Sequence, residues 1–319
     1  MQTLLNASEE ICICPETKFL GKVMTPYHQY PPLFRRRRRS RILKQYVTAP
    51  FFKDSGVDSD HYLESMREVS LSDTAGLAVL LTEFSKKHKL ARVGEKTPGH
   101  LYIAHRLLEK FPQSKLVAMV RDPRAVYASI IKTPFKPERL STFVVRWKRA
   151  FQLVQALERL YPTRVLPVSY EELVETPMDT MRKVSDFVDV RFTEQMLRPA
   201  VRHLQGIDFQ REPWKANVTN PITPKSNLKW KTELSGADVS FLEQCCHKEL
   251  GSIRRTAAAG AITSPKDLRI TRIRLLSATL QLKWRLSRFP WKREVAAMLG
   301  AESRSNFREL NGAVVLNNT

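Results

Sequence analysis

Short apolar runs alternate with longer stretches of helical periodicity along this chain. Residues 116–120, Leu-Val-Ala-Met-Val, are unbroken apolar, the pattern of a strand buried on both faces of a parallel sheet. Residues 165–168 repeat that pattern, and 11–13 form a shorter strand. Leu77, Leu80, Leu81 and Phe84 recur at helical spacing over 74–88, and 140–161 reads as a long amphipathic helix carrying Trp147 and Phe151. Shorter helices are expected at 4–10, at 100–111 before Pro112, and at 124–132, 178–188 and 193–204. Residues 25–50, rich in proline and arginine, read as an irregular surface excursion. Residues 268–289 read as a basic helix, with Ile270, Ile273, Leu276, Leu280 and Trp284 as its apolar stripe. Alternating β and α predicts a parallel sheet with helices on both faces.

The joint after the 116–120 strand carries the first candidate chemistry. It reads Arg121-Asp122-Pro123-Arg124, with Asp122 placed to cap a helix and Pro123 at its first position. Ser129 falls two turns into that helix. A fixed cation at a strand end and a hydroxyl in the next helix make an anion site where open α/β sheets bind ligands. Taken alone, the segment is equally an ordinary strand-loop-helix with solvated arginines.

That segment resembles the 3′-phosphate motif of sulfotransferases that use 3′-phosphoadenosine 5′-phosphosulfate (PAPS), with Arg121 and Ser129 at the two phosphate-binding positions. Four further segments agree in order and spacing: Gly94-Glu95-Lys96-Thr97-Pro98, Val165 to Leu173 with its Tyr170-Glu171-Glu172-Leu173 turn, Glu175-Thr176-Pro177, and Ser226-Asn227-Leu228-Lys229-Trp230. The resemblance covers residues 2–251. It implies a P-loop-NTPase-like parallel sheet flanked by helices over 1–251; beyond it, the residues themselves read as a basic helical extension over 252–319.

One part of the family pattern is absent. The 319 residues contain no Lys/Arg-Ser-Gly-Thr-Thr loop, whose backbone donors would cradle the 5′-phosphosulfate. Thr3-Leu4-Leu5 is similar to its tail, so the first strand and most of the loop are expected before Met1. A truncated chain and a naturally shortened, inactive relative both fit. The ladder groups that a lost strand would leave open favour truncation.

The resemblance also implies roles. Glu16, in Pro15-Glu16-Thr17, is similar in place to the glutamate base of the tyrosylprotein group. Lys96 is the candidate for stabilising the transferring group. Tyr170 and Ser226 resemble nucleotide-contacting residues. Arg124 and Lys132 either reinforce the phosphate site or are solvated. The seven histidines include no clear base.

Composition narrows the partners. The net charge is +21, and the pI is near 10.1. Charge concentrates in Arg35 to Arg41 and again after Lys266. Such a chain attracts polyanions, including acidic glycans, peptides and lipid head groups, and suits peripheral contact with an anionic membrane. No recognition helix, zinc finger or interleaved aromatics supports specific nucleic-acid binding. A P-loop kinase would need Gly-x-x-x-x-Gly-Lys, which is absent. A non-catalytic polyanion binder on the same scaffold stays as the alternative. The four cysteines show no zinc spacing and read as reduced thiols, and no metal is expected. Without a signal peptide or a spanning segment, a cytoplasmic location is expected.

Overall fold

The computed structural model describes residues 1–30, 32–69, 71, 74–137, 139–198, 206–256 and 312–317. Its centre is a five-stranded sheet: β1 (Ile11–Cys14), β2 (Arg92–Glu95), β3 (Lys115–Val120), β4 (Val165–Ser169) and β5 (Gly312–Asn317), in the order β1-β2-β5-β3-β4. β1 pairs parallel with β2, and β3 with β4. β5 runs antiparallel to both β2 and β3, so the first four strands share one direction.

The helices are α1 (Gln2–Leu5), α2 (Thr25–Gln29), α3 (Pro32–Val47), α4 (Pro50–Lys53), α5 (Ser59–Ser65), α6 (Ala75–His88) and α7 (Ala104–Lys110) in the first half. The second half holds α8 (Pro123–Ile130), α9 (Leu140–Leu160), α10 (Tyr170–Glu175), α11 (Pro177–Phe187), α12 (Trp230–Glu233) and α13 (Gly236–Thr256).

Alternation along the strands feeds two cores. Cys12, Cys14, Leu116 and Ala118 face one, with the buried faces of α3, α6, α7 and α9. Ile11, Ile13, Val117 and Val168 face the other, with Leu4, Leu5, Met181 and Val184. Helices therefore cover both faces, as the alternating pattern predicts.

The structure corrects the sequence reading in several places. Residues 25–50 are not an irregular excursion: α2, α3 and the start of α4 lie there, because Ile42, Leu43, Tyr46 and Val47 make a buried stripe. Strand β2 is an addition, since Arg92-Val93-Gly94-Glu95 shows no apolar run. The helix expected at 100–111 is split into a 3₁₀ segment, Pro98–Ile103, and α7. Only the short turn Glu194–Leu197 forms within 193–204, of which 199–204 are outside the described residues. The basic helix expected at 268–289 lies wholly outside them. Residues 312–317, expected within a helical extension, are a strand between β2 and β3. It pairs with the facing edges of both, so β2 and β3 find ladder partners there within the chain.

Candidate functional site

Glu16 leaves β1, Lys96 leaves β2, Arg121 leaves β3 and Tyr170 leaves β4, all at the carboxyl edge of the sheet. That edge is where open α/β sheets place ligands. The expected site residues divide into two groups along it.

The first group surrounds Glu16. Its Oε1 accepts a hydrogen bond from Lys96 Nζ at 2.5 Å, across 80 residues of sequence. Lys215 Nζ stands 3.6 Å from the same oxygen, and Lys18 Nζ 3.8 Å from Oε2. Burial opposes ionisation of this carboxyl. Lys96, Lys215 and Lys18 outweigh it and hold the pKa below the ordinary carboxylate value. Glu16 is thus an ionised acceptor at neutral pH, with Oε1 held by Lys96 and Oε2 approached by Lys18 at 3.8 Å.

A buried carboxylate positions this pair. Glu95 Oε1 accepts from Thr17 N at 3.2 Å, from Thr17 Oγ1 at 2.9 Å, and from Thr97 Oγ1. Its Oε2 lies 2.9 Å from His100 Nδ1. Thr97 Oγ1 in turn accepts from Lys18 N at 3.3 Å. Glu95 therefore ties residues 17–18 to residues 97–100, and so sets where Glu16 and Lys96 meet. Burial again opposes ionisation, but His100 and the hydroxyls keep its pKa below the usual carboxylate range. His100 is fully buried, so it is not a base facing an acceptor. Tyr46 Oη donates to the Thr17 carbonyl at 3.0 Å. Lys18 adopts φ 50, a left-handed conformation that costs a non-glycine residue energy and is common at functional turns.

The second group surrounds Arg121. Its guanidinium lies 4.1 Å from the Tyr170 ring centroid, a cation–π stack across the β3 and β4 ends. Glu171 braces the same junction: Oε1 accepts from Asp122 N at 3.0 Å and Oε2 from Ser169 Oγ at 2.9 Å. Asp122 caps α8 as the sequence predicts, accepting from Arg124 N at 2.8 Å. Ser129 is exposed on α8. The 3₁₀ turn Pro224–Asn227, which contains Ser226, packs against α10 (Tyr170–Glu175).

Arg124 does not stand solvated, whereas Lys132 is exposed. Arg124 is buried, bonded to both Asp122 oxygens and to Glu243 Oε1 at 2.5 Å, and lies 3.9 Å over the Trp230 ring. Lys132 pairs with Glu233 at 2.5 Å. Arg124 holds α8 to α12 and α13, and Lys132 ties the turn after α8 to α12. Lys215, Glu95, Thr17 and Thr97 are the site residues that sequence reasoning missed. Thr97 stands beside Lys96 in the recognised segment, whereas nothing in the sequence around Lys215 marks it.

Among the described residues no group of His, Cys, Asp and Glu is placed to hold a metal ion. Cys12 and Cys14 are buried free thiols, and burial pushes Cys12 up to about 12. No helix among the described residues is long and apolar enough to cross a membrane.

Comparison with known proteins decides the lineage. The model of the sulfotransferase family matches residues 1–194, well over half of the chain. The chain belongs to the sulfotransferase family. It is 27% identical over 196 residues to the protein-tyrosine sulfotransferase of Drosophila melanogaster, covering 55% of this chain and 39% of that one. It is 25% identical over 247 residues to protein-tyrosine sulfotransferase 2 of Gallus gallus, covering 74% and 60%. Carbohydrate sulfotransferase 2 of Homo sapiens matches at 28% over 121 residues, covering 38% of this chain and 21% of that one. The chain spans less than two thirds of the length of these curated relatives. Among solved structures, the sulfotransferase domain from the curacin biosynthetic pathway superposes with TM-score 0.53 at 17% identity, covering 78% of this chain and 92% of that one. That likeness shows the fold.

Proposed function

We propose that this sulfotransferase-family chain carries the binding and base machinery for sulfuryl transfer from PAPS to a hydroxyl or amine. The observation that carries the reading is the Glu16–Lys96 pair, 2.5 Å apart on neighbouring strand ends, on the same sheet edge as Arg121 stacked on Tyr170. The donor set suits a doubly phosphorylated nucleotide: a stacked guanidinium at one end and lysines at the other. Arg121 and Ser129 would hold the 3′-phosphate, with Tyr170 and Ser226 at the nucleotide. PAPS supplies the activated sulfuryl group when bound. Lys96 leaves Glu16 and neutralises charge developing on the departing phosphate oxygen. Glu16, released from that pair, takes the proton of the attacking hydroxyl or amine.

No glycine-containing phosphate loop is present in the 319 residues, so Lys96, Lys18 and Lys215 are the cations that stand at the sulfuryl end. Each absent oxyanion-type donor costs about 10²–10³ in rate, which makes this chain by itself a slow catalyst. The acceptor class we favour is acidic, because Lys18 and Lys215 stand beside Glu16 in addition to Lys96.

Titrating 3′,5′-ADP into the chain at fixed ionic strength tests the nucleotide end. A charge-assisted arginine–phosphate bond is worth about 1.5–3 kcal/mol, so Arg121→Ala should weaken binding roughly 10- to 100-fold. Equal affinity in both proteins would overturn the assignment.

A further inference from the structure

Helix α3 carries five consecutive arginines, 35–39, followed by Arg41 and Lys44. Its C-terminal half is anchored by Ile42, Leu43, Tyr46 and Val47 in the core. Three arginines are also used by the fold. Arg39 donates to the carbonyls of Arg67 at 2.7 Å and Val69 at 2.6 Å, Arg35 Nε donates to the Tyr30 carbonyl at 3.0 Å, and Arg38 lies 5.4 Å over the Tyr30 ring. The outer face keeps Arg36, Arg37, Arg41 and Lys44, all exposed, and among the described residues no acid pairs with them.

The start of the same helix presents two adjacent large apolar side chains, Leu33 at 88% exposure and Phe34 at 51%. A helix that only needed solubility, or only gripped phosphates, has no use for them. A polyphosphate backbone takes the cations and leaves Leu33 and Phe34 in water. An anionic bilayer takes both: the apolar pair enters the head-group boundary, and the guanidinium groups meet lipid phosphates. The long arginine stems can lie along that boundary with their charged ends outward.

We propose that the Leu33–Phe34 tip and the Arg36, Arg37, Arg41, Lys44 face of α3 form a docking surface for an anionic lipid membrane. The geometry links docking to the site. Tyr46, on the last turn of α3, holds the Thr17 carbonyl beside Glu16. At about 1.5 Å rise per residue, Phe34 and Tyr46 are about 18 Å apart along the helix. With α3 lying along the membrane on this face, the turn that holds the Glu16 segment sits about that far from the inserted tip, measured along the lipid surface.

The test is co-sedimentation of the full chain with phosphatidylcholine vesicles, with and without phosphatidylserine, alongside heparin affinity as the polyanion arm. The chain should bind the phosphatidylserine vesicles and not the neutral ones. Each arginine near an anionic surface is worth about fivefold, so Arg36→Gln/Arg37→Gln/Arg41→Gln should lose about a hundredfold. Leu33→Ser/Phe34→Ser should lose about tenfold or more on vesicles and keep its heparin affinity. A control, Arg159→Gln/Arg182→Gln/Lys248→Gln, removes the same charge from exposed positions on other elements and should lose far less. A second reporter, Phe34→Trp, should shift its indole emission to the blue on phosphatidylserine vesicles. Equal losses in the control and α3 triples would overturn the proposal in favour of diffuse charge. Unchanged vesicle binding in Leu33→Ser/Phe34→Ser, with unshifted emission from the Phe34→Trp reporter, would overturn it in favour of a soluble polyanion.

Discussion

At the scale of single residues, the site is two carboxylates with different work. Glu16 faces three lysines and can exchange partners, whereas Glu95 is sealed beneath them. Replacing Glu16 by Gln keeps the size and removes the basicity. The variant should bind 3′,5′-ADP like the parent and lose about 10²–10⁴ in PAPS-dependent transfer. Unchanged turnover would remove Glu16 from the base role. Replacing Glu95 by Gln removes the buried charged acceptor shared by Thr17, Thr97 and His100, and should cost about 1.5–3 kcal/mol in urea unfolding at neutral pH. Both carboxyls have folded pKa values below the ordinary one. Their contribution is therefore fully present above the unfolded value of about 4.3 and fades as pH falls through the folded values. Unfolding free energy should hold as pH drops toward that value, then fall below it, with a shallower fall in Glu95→Gln. A variant as stable as the parent, with the same acid slope, would contradict the Glu95 account.

The element scale shows where sequence patterns speak and where they fail. β3, α8, β4 and α9 were legible because each has a single clean signal: an apolar run, an Asp-Pro start, or a long helical stripe. β2 carries one buried aliphatic side chain, Val93, beside a glycine and a buried glutamate, so its strand character comes from β1 and β5 alone. The buried stripe of α3 was hidden by the proline-rich lead and the arginine run before it. The two groups around Glu16 and Arg121 were named from motifs, but their bracing by Glu95, Lys215 and Glu171 is made across distances no local pattern records. Packing of α6 against the Glu16 turn offers a test at this scale. A Cβ added at Gly76 would stand 2.6 Å from Phe19 Cζ and 3.0 Å from Met66 Cε. Gly76→Ala gains up to about 1 kcal/mol of helix propensity, but overpacking costs about 1–3 kcal/mol. The variant should melt at lower temperature than the parent, and a higher melting temperature would show that Phe19 yields freely.

For the whole molecule, the claim is that one ligand spans the carboxyl edge from Arg121 to Lys96. The four parallel strands deliver their ends to that edge, and β5, running the other way, closes the sheet between β2 and β3 without contributing a carboxyl end there. The fold class and the order of the motifs were readable from the chain, whereas β5 joins the sheet from the far end of the sequence and left no mark beyond a short apolar run. The most direct measurement is a crossed titration of 3′,5′-ADP, 5′-AMP and 3′-AMP against the parent, Arg121→Ala and Lys96→Ala, all at one ionic strength because the net charge of +21 makes binding salt-dependent. Arg121→Ala should erase the advantage of 3′,5′-ADP over 5′-AMP and spare its advantage over 3′-AMP. Lys96→Ala should do the reverse. The same loss for all three nucleotides in both variants, or no loss in either, would contradict a single nucleotide held between these two residues.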